Sequence, residues 1–417
     1  MEKTPKSMRL QIAIFGRTNV GKSSFLNMLA GQNVSITSPV PGTTTDVVEK
    51  SMELLPIGPV VFLDTGGLDD ISELGTLRAE RAKKIFDRAD VAVLVAEPEV
   101  WGSWEERVVR MAAEKGITLL PIINKTDIIT PSAGFLKEVE RSAGVPLLCS
   151  ALDKGGKEAS VGEFKTKLMT LLRDTSKSGP ATIAGDLVPP GETAILIVPI
   201  DKEAPKGRII LPQVQTIRDL LDNGAMSLTV RELEYAGALE ALSRKPALVV
   251  CDSQVVDLMV RLTPPDIPCT TFSILFARLK GDLTLFSAGA AALRGLKPGD
   301  RVLIAEGCSH HPIEDDIGRV KLPKWLKTYA GGELRIDTVS GRDFPADIGM
   351  YKIVIQCGGC MLTRKEILNR SSLSNSSGVP ITNYGLAISE CKGTLKRVLS
   401  PFKQALASYE EAVKTAI

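Results

Sequence analysis

Residues 16–24 read Gly-Arg-Thr-Asn-Val-Gly-Lys-Ser-Ser and fit the phosphate-binding pattern G-x-x-x-x-G-K-[S/T] at every fixed position. The apolar run at residues 10–15 predicts a buried strand before this loop, and residues 24–30 predict a helix after it. A glycine-rich turn between a strand and a helix presents backbone N–H groups to phosphate at the positive end of the helix dipole. The stretch therefore predicts a nucleotide site.

The side chains of this loop have distinct predicted tasks. Lys22 is expected to reach the β- and γ-phosphates, and the Ser23 hydroxyl to bind Mg²⁺. Gly16 and Gly21 allow the backbone to wrap round the phosphates. The loop residues predicted to contact the nucleotide or its cations are Asn19, Val20, Gly21, Lys22, Ser23 and Ser24.

Length and composition restrict the protein class. The chain has 417 residues, which predicts several domains: 1–175 for the nucleotide, 184–265 for interaction or dimerisation, and 266–417 for the cysteine pair described below. A net charge of +2 and 5% aromatic residues disfavour a nucleic-acid binder. Without a signal sequence or a long apolar run, we expect a cytoplasmic protein that does not insert into membranes.

Two further motifs predict the Mg²⁺ side of the nucleotide site. Thr44, with Thr43 or Thr45 as the alternatives, lies in the loop 41–46, where a GTPase keeps the threonine that senses the γ-phosphate through Mg²⁺. A short apolar strand then leads to Asp64-Thr-Gly-Gly at 64–67. Asp64 is expected to hold Mg²⁺ through water, and the Gly66 N–H to contact the γ-phosphate. Lys22, Thr44, Asp64 and Gly66 are thus the predicted catalytic residues.

Guanine is predicted as the base from two later motifs. Residues 124–127 read Asn-Lys-Thr-Asp, in which Asp127 would accept from N1–H and the 2-amino group, and Asn124 would meet the O6/N7 edge. Ser150 and Ala151 lie in the later run 146–152, and the Ala151 N–H would face the guanine O6. Lys125 completes the predicted base-binding set. Because adenine lacks the 2-amino donor, the pattern predicts selectivity for GTP.

Strands that alternate with helices at this spacing predict a doubly wound parallel sheet, with the nucleotide at the carboxyl ends of the strands. Residues 8–173 resemble the translation-factor-like GTPases of the Era and TrmE type. The resemblance implies slow intrinsic hydrolysis, because Leu68 stands where Ras-like proteins have a glutamine. It also implies that Asn19 is a K⁺ ligand, as in potassium-activated members; a turn-capping role for this side chain is the alternative.

The middle segment has no run of catalytic residue types. Apolar runs at 194–199, 208–211 and 247–251 predict strands, and 214–223 and 253–262 predict helices. This small α/β unit is near the size at which a partner surface helps to complete the core. We therefore expect an interaction or dimerisation domain.

Cysteines define the chemistry of the C-terminal segment. Cys357 and Cys360 form a C-x-x-C pair after a predicted strand, and Cys308 follows another strand end. Three thiolates from two strand ends suit an iron–sulfur cluster. The same spacing also fits half a zinc site, with His310 or His311 as a further ligand, or a redox dithiol.

The GTPase motifs followed by Cys-x-His and a distant Cys-Gly-Gly-Cys resemble the HydF family, the maturation GTPases of iron-iron hydrogenase. The resemblance implies a [4Fe–4S] cluster on Cys308, Cys357 and Cys360 with an exchangeable fourth position. Gln356 replaces the histidine usual in the family, so the candidate fourth ligands are His310 and Asp186.

The resemblance also implies a biological task. Members accept a diiron precursor that carries CO and cyanide, made with two radical-SAM maturases, and pass it to the apo-hydrogenase. A homodimer through the middle domain is expected. Two alternatives remain at this point: an RNA- or ribosome-associated GTPase with a structural zinc domain, and a thiol redox enzyme.

Overall fold

The structure is a computed structural model that describes residues 6–30, 48–64, 82, 84–152, 155–175, 182–200, 209–307, 317–341, 344–345 and 347–416. The chain divides into two compact units, Met1–Gly179 and Pro180–Ile417. Each unit is built on parallel β-structure covered by helices.

In the described part of the first unit, six strands form one sheet in the order β2-β3-β1-β4-β5-β6. β2 runs antiparallel to β3, and the other neighbours are parallel. The strands are β1 Leu10–Phe15, β2 Val48–Leu54, β3 Gly58–Asp64, β4 Val91–Ala96, β5 Thr118–Ile123 and β6 Leu147–Leu148. The helices are α1 Lys22–Ala30, α2 Ser103–Glu114, α3 Ala133–Ala143 and α4 Lys157–Thr175.

Both faces of this sheet are buried, as a parallel sheet between helices requires. Successive residues of β1 belong to opposite faces, so Ile12 and Ile14 join one core and Ala13 and Phe15 join the other. Phe15 stacks on Phe86 with ring centroids 4.5 Å apart. The near-continuous apolar strands of the sequence therefore result from burial on two sides.

The strand register brings the predicted motifs to one edge of the sheet. Ile14 of β1 lies opposite Asp64 at the end of β3, and Phe15 lies opposite Leu94 of β4. Ala96, the last residue of β4, pairs with Ile123, the last residue of β5. The loops that follow these strands consequently meet at the carboxyl edge, where doubly wound folds bind ligands.

The second unit contains two four-stranded sheets in its described part, with the orders β10-β9-β7-β8 and β12-β11-β13-β14. All pairs that these orders place side by side are parallel. The first sheet contains β7 Thr193–Ile197, β8 Met226–Val230, β9 Leu248–Cys251 and β10 Cys269–Thr271. The second contains β11 Arg301–Ala305, β12 Arg335–Val339, β13 Ile353–Gln356 and β14 Ile381–Asn383.

Helices cover these two sheets. They are α5 Leu211–Asp222, α6 Tyr235–Ala241, α7 Val256–Leu262, α8 Phe272–Lys280, α9 Leu283–Ala291, α10 Leu322–Ala330, α11 Arg364–Ser376, α12 Tyr384–Cys391, α13 Leu395–Val398 and α14 Lys403–Ala416. Among the described helices of the whole chain, none combines the length and the apolar content needed to cross a bilayer. The predicted fold class, a doubly wound GTPase sheet followed by smaller α/β sheets, is confirmed.

The two sheets of the second unit share one apolar core. Ile195 and Val249 of the first sheet belong to the same buried cluster as Leu303 and Val354 of the second. The predicted boundary near residue 265 stays a prediction; β10, which follows it, pairs with β9 of the first sheet.

One predicted strand is absent from the described residues. The run 208–211 was expected to be a strand, but Ile209 and Ile210 are irregular and α5 begins at Leu211. Pro212 explains the difference, because the fixed φ of proline suits the first turn of a helix and its missing N–H costs nothing there.

Candidate nucleotide and metal sites

The phosphate loop runs from the end of β1 to the start of α1. A Cβ at Gly16 would lie 2.6 Å from the Val95 carbonyl oxygen, and one at Gly21 would lie 2.3 Å from Asn124 Nδ2. Both contacts are too short for any side chain, so glycine is required at the two fixed positions of the motif. The loop is thereby held against β4 and the loop after β5.

The Lys22 ammonium is already placed inside the loop. Its Nζ donates to the carbonyl oxygens of Gly16 at 2.5 Å and Arg17 at 2.8 Å. These bonds hold the cation where a phosphate chain wrapped by the loop would meet it. Ser23 is exposed in the first turn of α1 and available to a cation.

An ion pair that the sequence did not reveal anchors the same loop. Arg17 donates through Nε and Nη2 to the two carboxylate oxygens of Glu105, both at 2.7 Å. Glu105 is only 1% exposed and also accepts from the Gly102 N–H at 3.0 Å. The hydrogen bond to Glu105 raises the pKa of Arg17. This bidentate pair fixes the loop to α2.

Asp64 has the features expected of a Mg²⁺-side carboxylate. Its Oδ1 is buried and has no hydrogen-bond partner among the described residues. The Lys50 ammonium lies 3.7 Å from the other oxygen, Oδ2, in a pair that is almost completely buried. An orphaned carboxylate oxygen suits a water held by Mg²⁺. Thr44 and Gly66, which were predicted to act beside it, lie outside the described residues.

Asn124 connects the base-binding loops to the phosphate loop. Its Nδ2 donates to the Val20 carbonyl oxygen at 2.8 Å, and its Oδ1 accepts from the Ala151 N–H at 3.0 Å. With 2% exposure the side chain is buried. The predicted contacts of Asn124 and the Ala151 N–H with the guanine edge stay predictions; the structure gives both groups a bracing role.

The other residues predicted to bind the base follow β5 at the same edge of the sheet. Lys125 adopts a left-handed φ of 63° and pairs with Glu97. The Thr126 hydroxyl donates to the Cys149 carbonyl oxygen at 3.1 Å, which joins this loop to the one containing Ser150. Asp127 is exposed. Its carboxylate is therefore accessible to the base that it is predicted to bind.

The cysteine pair of the second unit forms a tight turn directly after β13. The Cys357 Sγ accepts from the Gly307 N–H at 3.0 Å and from the Gly359 N–H at 3.4 Å. Burial raises the pKa of the Cys357 thiol, and these N–H groups oppose that effect. Gly359 has a left-handed φ of 63°, which lets the turn close over its own sulfur.

The surroundings of this turn fit a thiolate-held cluster. Cys357 and Cys360 are half-buried, and N–H donors to sulfur are the contacts that stabilise bound thiolates. Cys308 follows Gly307, whose N–H already contacts Cys357, but Cys308 and His310 lie outside the described residues. In the described ranges, no three His, Cys, Asp or Glu side chains form a group that could hold a metal ion.

Asp186, a candidate fourth ligand, is engaged elsewhere. Arg278 donates to its Oδ2 at 3.0 Å and to its Oδ1 at 2.5 Å, and the Thr182 hydroxyl donates at 2.9 Å. Burial acts to raise the pKa of Asp186, but these bonds outweigh it and the pKa is lowered. Asp186 does not form a metal-binding group with Cys357 and Cys360 in this structure.

Lys280, at the end of α8, is a second residue that sequence reasoning missed. It is 2% exposed and donates to three carbonyl oxygens of the cysteine turn. Burial lowers the pKa of its ammonium to about 8, while Cys360, Cys357 and Glu366 act in the opposite direction. Lys280 follows Arg278 in the last turn of α8, where basic residues are common in any helix, so the sequence gave no signal of this contact.

Three family models match the chain. A 50S ribosome-binding GTPase model matches residues 11–125, a hydrogen maturase F dimerization domain matches 183–281, and a hydrogen maturase F tetramerization domain matches 284–401. The chain belongs to the hydrogen maturase F family. Its resemblance to that family is thereby confirmed, and the domains of the second unit are named for assembly into dimers and tetramers.

The first unit also has relatives among other GTPases. The tRNA modification GTPase MnmE of Nitrosospira multiformis is 36% identical over 122 residues, which cover 28% of this chain and 26% of the relative. GTPase Der of Kosmotoga olearia is 31% identical over 126 residues, 29% of this chain and 28% of the relative. A solved structure of a probable GTP-binding protein engB aligns with a TM-score of 0.30 and 22% identity over 39% of this chain and 99% of that one.

The chain therefore spans about a quarter of the length of these curated relatives, within the GTPase domain. The predicted enzymatic activity, hydrolysis of GTP, is confirmed for that domain, as is binding of GTP with Mg²⁺.

Proposed function

We propose that this protein is a GTP-hydrolysing scaffold and carrier in the maturation of iron-iron hydrogenase. The observation that carries the proposal is the cysteine turn after β13, with N–H donors aimed at Cys357 Sγ, in a member of the hydrogen maturase F family. The cargo is a diiron precursor bearing CO and cyanide, supplied with two radical-SAM maturases and delivered to the apo-hydrogenase.

Cys308, Cys357 and Cys360 would hold a [4Fe–4S] cluster, which supplies an iron with an exchangeable position. Gly307 and Gly359 would donate to the bound sulfur of Cys357, and His310 or Asp186 would supply a fourth ligand. The Arg278 and Thr182 bonds of Asp186 favour His310. A homodimer would form through the middle domain, whose residues 183–281 match the dimerization model.

A transfer assay tests the carrier role. Protein produced together with the two maturases and purified without oxygen is expected to activate an apo-hydrogenase that lacks its diiron unit. The same protein produced without the maturases should not. If both preparations activate equally, or neither does while the cluster is intact, the carrier function is wrong.

Selectivity for guanine depends on the exposed carboxylate of Asp127. Asp127→Asn is expected to lower kcat/KM for GTP by roughly a hundredfold, because it replaces an acceptor that faces two base donors. XTP, which has an oxygen in place of the 2-amino group, should become the better substrate of the variant. Rates are measured with GTP, ATP and XTP; equal turnover of ATP and GTP by the wild type would contradict the assignment of residues 124–127.

Potassium should stimulate hydrolysis if Asn19 is a K⁺ ligand. We expect a several-fold higher rate in KCl than in NaCl at equal ionic strength, because the cation offsets charge on the phosphates in the transition state. Asn19 has a left-handed φ of 65°, which glycine adopts without strain, so Asn19→Gly removes the side-chain amide without a steric conflict in the loop. If hydrolysis by the variant is still stimulated by K⁺, Asn19 is not a K⁺ ligand and its side chain only caps the turn.

A further inference from the structure

Lys280 is joined to the cysteine turn by three hydrogen bonds. Its Nζ lies 2.7 Å from the carbonyl oxygen of Gly359, 2.9 Å from that of Leu362 and 3.3 Å from that of Cys360. An ammonium group has three N–H donors, and all three of these acceptors are carbonyl oxygens of one short segment. The turn that carries the thiols is therefore wrapped round one buried cation.

A second hydrogen bond joins the same helix end to this segment, and here the donor lies in the segment and the acceptor in the helix. Arg364, the first residue of α11, donates to the carbonyl oxygen of Leu279, which precedes Lys280. The end of α8 thus binds the segment 359–364 through two adjacent residues. The family models assign these partners to different domains, α8 to the dimerization domain and the turn to the tetramerization domain.

Burial removes the Lys280 ammonium from water, and nearby groups must compensate for its lost hydration. Carbonyl dipoles only partly replace the hydration of an ammonium group, and a buried charge is retained where an opposite charge is near. The acidic groups whose charge favours the Lys280 ammonium are Cys360, Cys357 and Glu366. Glu366 is itself tied to the start of α11, where its Oε2 accepts from the Thr363 N–H at 2.7 Å.

We propose that Lys280 is a positioning residue and internal counter-charge for a metal cluster held by the cysteine turn. It holds the carbonyl groups of Gly359, Cys360 and Leu362 so that both sulfurs remain in one place. It also offsets negative charge on the thiolates, which favours the more negative, reduced form of the cluster. This inference rests on the proposed cluster function.

The test uses two substitutions in the full-length protein. Lys280→Met removes both the charge and the N–H donors, whereas Lys280→Gln removes the charge and retains an N–H donor. Lys403→Met, at an exposed lysine that begins α14, is the matched control. Iron and sulfide per chain are counted after anaerobic reconstitution, and the midpoint potential is measured by EPR-monitored redox titration. Far-UV circular dichroism checks folding.

Lys280→Met is expected to retain less than about half of the wild-type iron, since the turn loses all three bonds. Lys280→Gln should retain more iron than Lys280→Met, but its midpoint potential should be clearly more negative than that of the wild type. If Lys280→Met does not fold, the potential of Lys280→Gln still tests the proposal. The proposal is wrong if Lys280→Gln has the same midpoint potential as the wild type. It is also wrong if Lys280→Met folds and binds as much iron as the wild type. A wild-type protein that takes up no iron would instead overturn the proposed cluster function.

Discussion

Lys22→Ala is expected to reduce the rate of GTP hydrolysis by at least about a hundredfold. In the structure, the Lys22 ammonium is held by the carbonyl oxygens of Gly16 and Arg17, within the loop that wraps the phosphates. Removing a preorganised donor of this kind costs about 10²–10³-fold in kcat, because the charge it meets develops in the transition state. Single-turnover release of phosphate from GTP, with Mg²⁺ and K⁺ present, measures the effect.

Lys137→Ala is the matched control for this prediction. Lys137 is exposed on α3 and belongs to none of the nucleotide motifs, so its loss should leave the rate unchanged. Ser23→Ala should resemble Lys22→Ala, since it removes the Mg²⁺ hydroxyl. A Lys22→Ala variant that hydrolyses GTP at the rate of the Lys137→Ala variant would show that hydrolysis does not occur at this loop.

Replacing any one of Cys308, Cys357 or Cys360 by serine is expected to abolish the iron–sulfur spectrum. Loss of one thiolate leaves two, too few to hold a four-iron cluster against solvent and oxidant. Cys357→Ser also removes the sulfur that accepts from the Gly307 and Gly359 N–H groups. Iron per chain, counted after anaerobic purification, should fall close to zero.

Two other variants make this experiment specific. Cys391→Ser, at a half-buried cysteine in α12 outside the turn, should keep its iron. His310→Ala should also keep its iron and change only the spectrum, because water or a carboxylate can replace a nitrogen ligand at an exchangeable position. Loss of iron in His310→Ala would mean that the fourth position is closed, and the carrier would then need another surface. GTP hydrolysis should survive all of these changes.

Local patterns were enough to predict the elements that carry the nucleotide site. The phosphate loop and the run 124–127 each follow a strand, and Asp64 is the last residue of β3. The register of β1, β3, β4 and β5 brings all three to one edge. Burial of β1 on both faces, with alternate residues in two separate cores, agrees with the predicted doubly wound sheet. The predicted strand at 208–211 was wrong because apolar residues alone do not distinguish a strand from the entry to a helix.

Contacts between distant residues could not be predicted from one sequence. Arg17 and Glu105 are separated by 88 positions, and Lys280 and Gly359 by 79. No periodicity or spacing in the sequence indicates such pairs. They form only because α2 packs on the phosphate loop and α8 packs on the cysteine turn. The double role of Asn124, in bracing Val20 and the Ala151 N–H, was missed for the same reason.

The most direct test of the account is the metal content of the wild-type protein. Anaerobic purification followed by iron, sulfide and zinc analysis, with EPR of the dithionite-reduced sample, distinguishes the cluster from the zinc and dithiol alternatives. We expect about four iron and about four sulfide per chain and an EPR signal that disappears on reoxidation. About one zinc per chain with no sulfide, or no metal with a disulfide between Cys357 and Cys360, would contradict it.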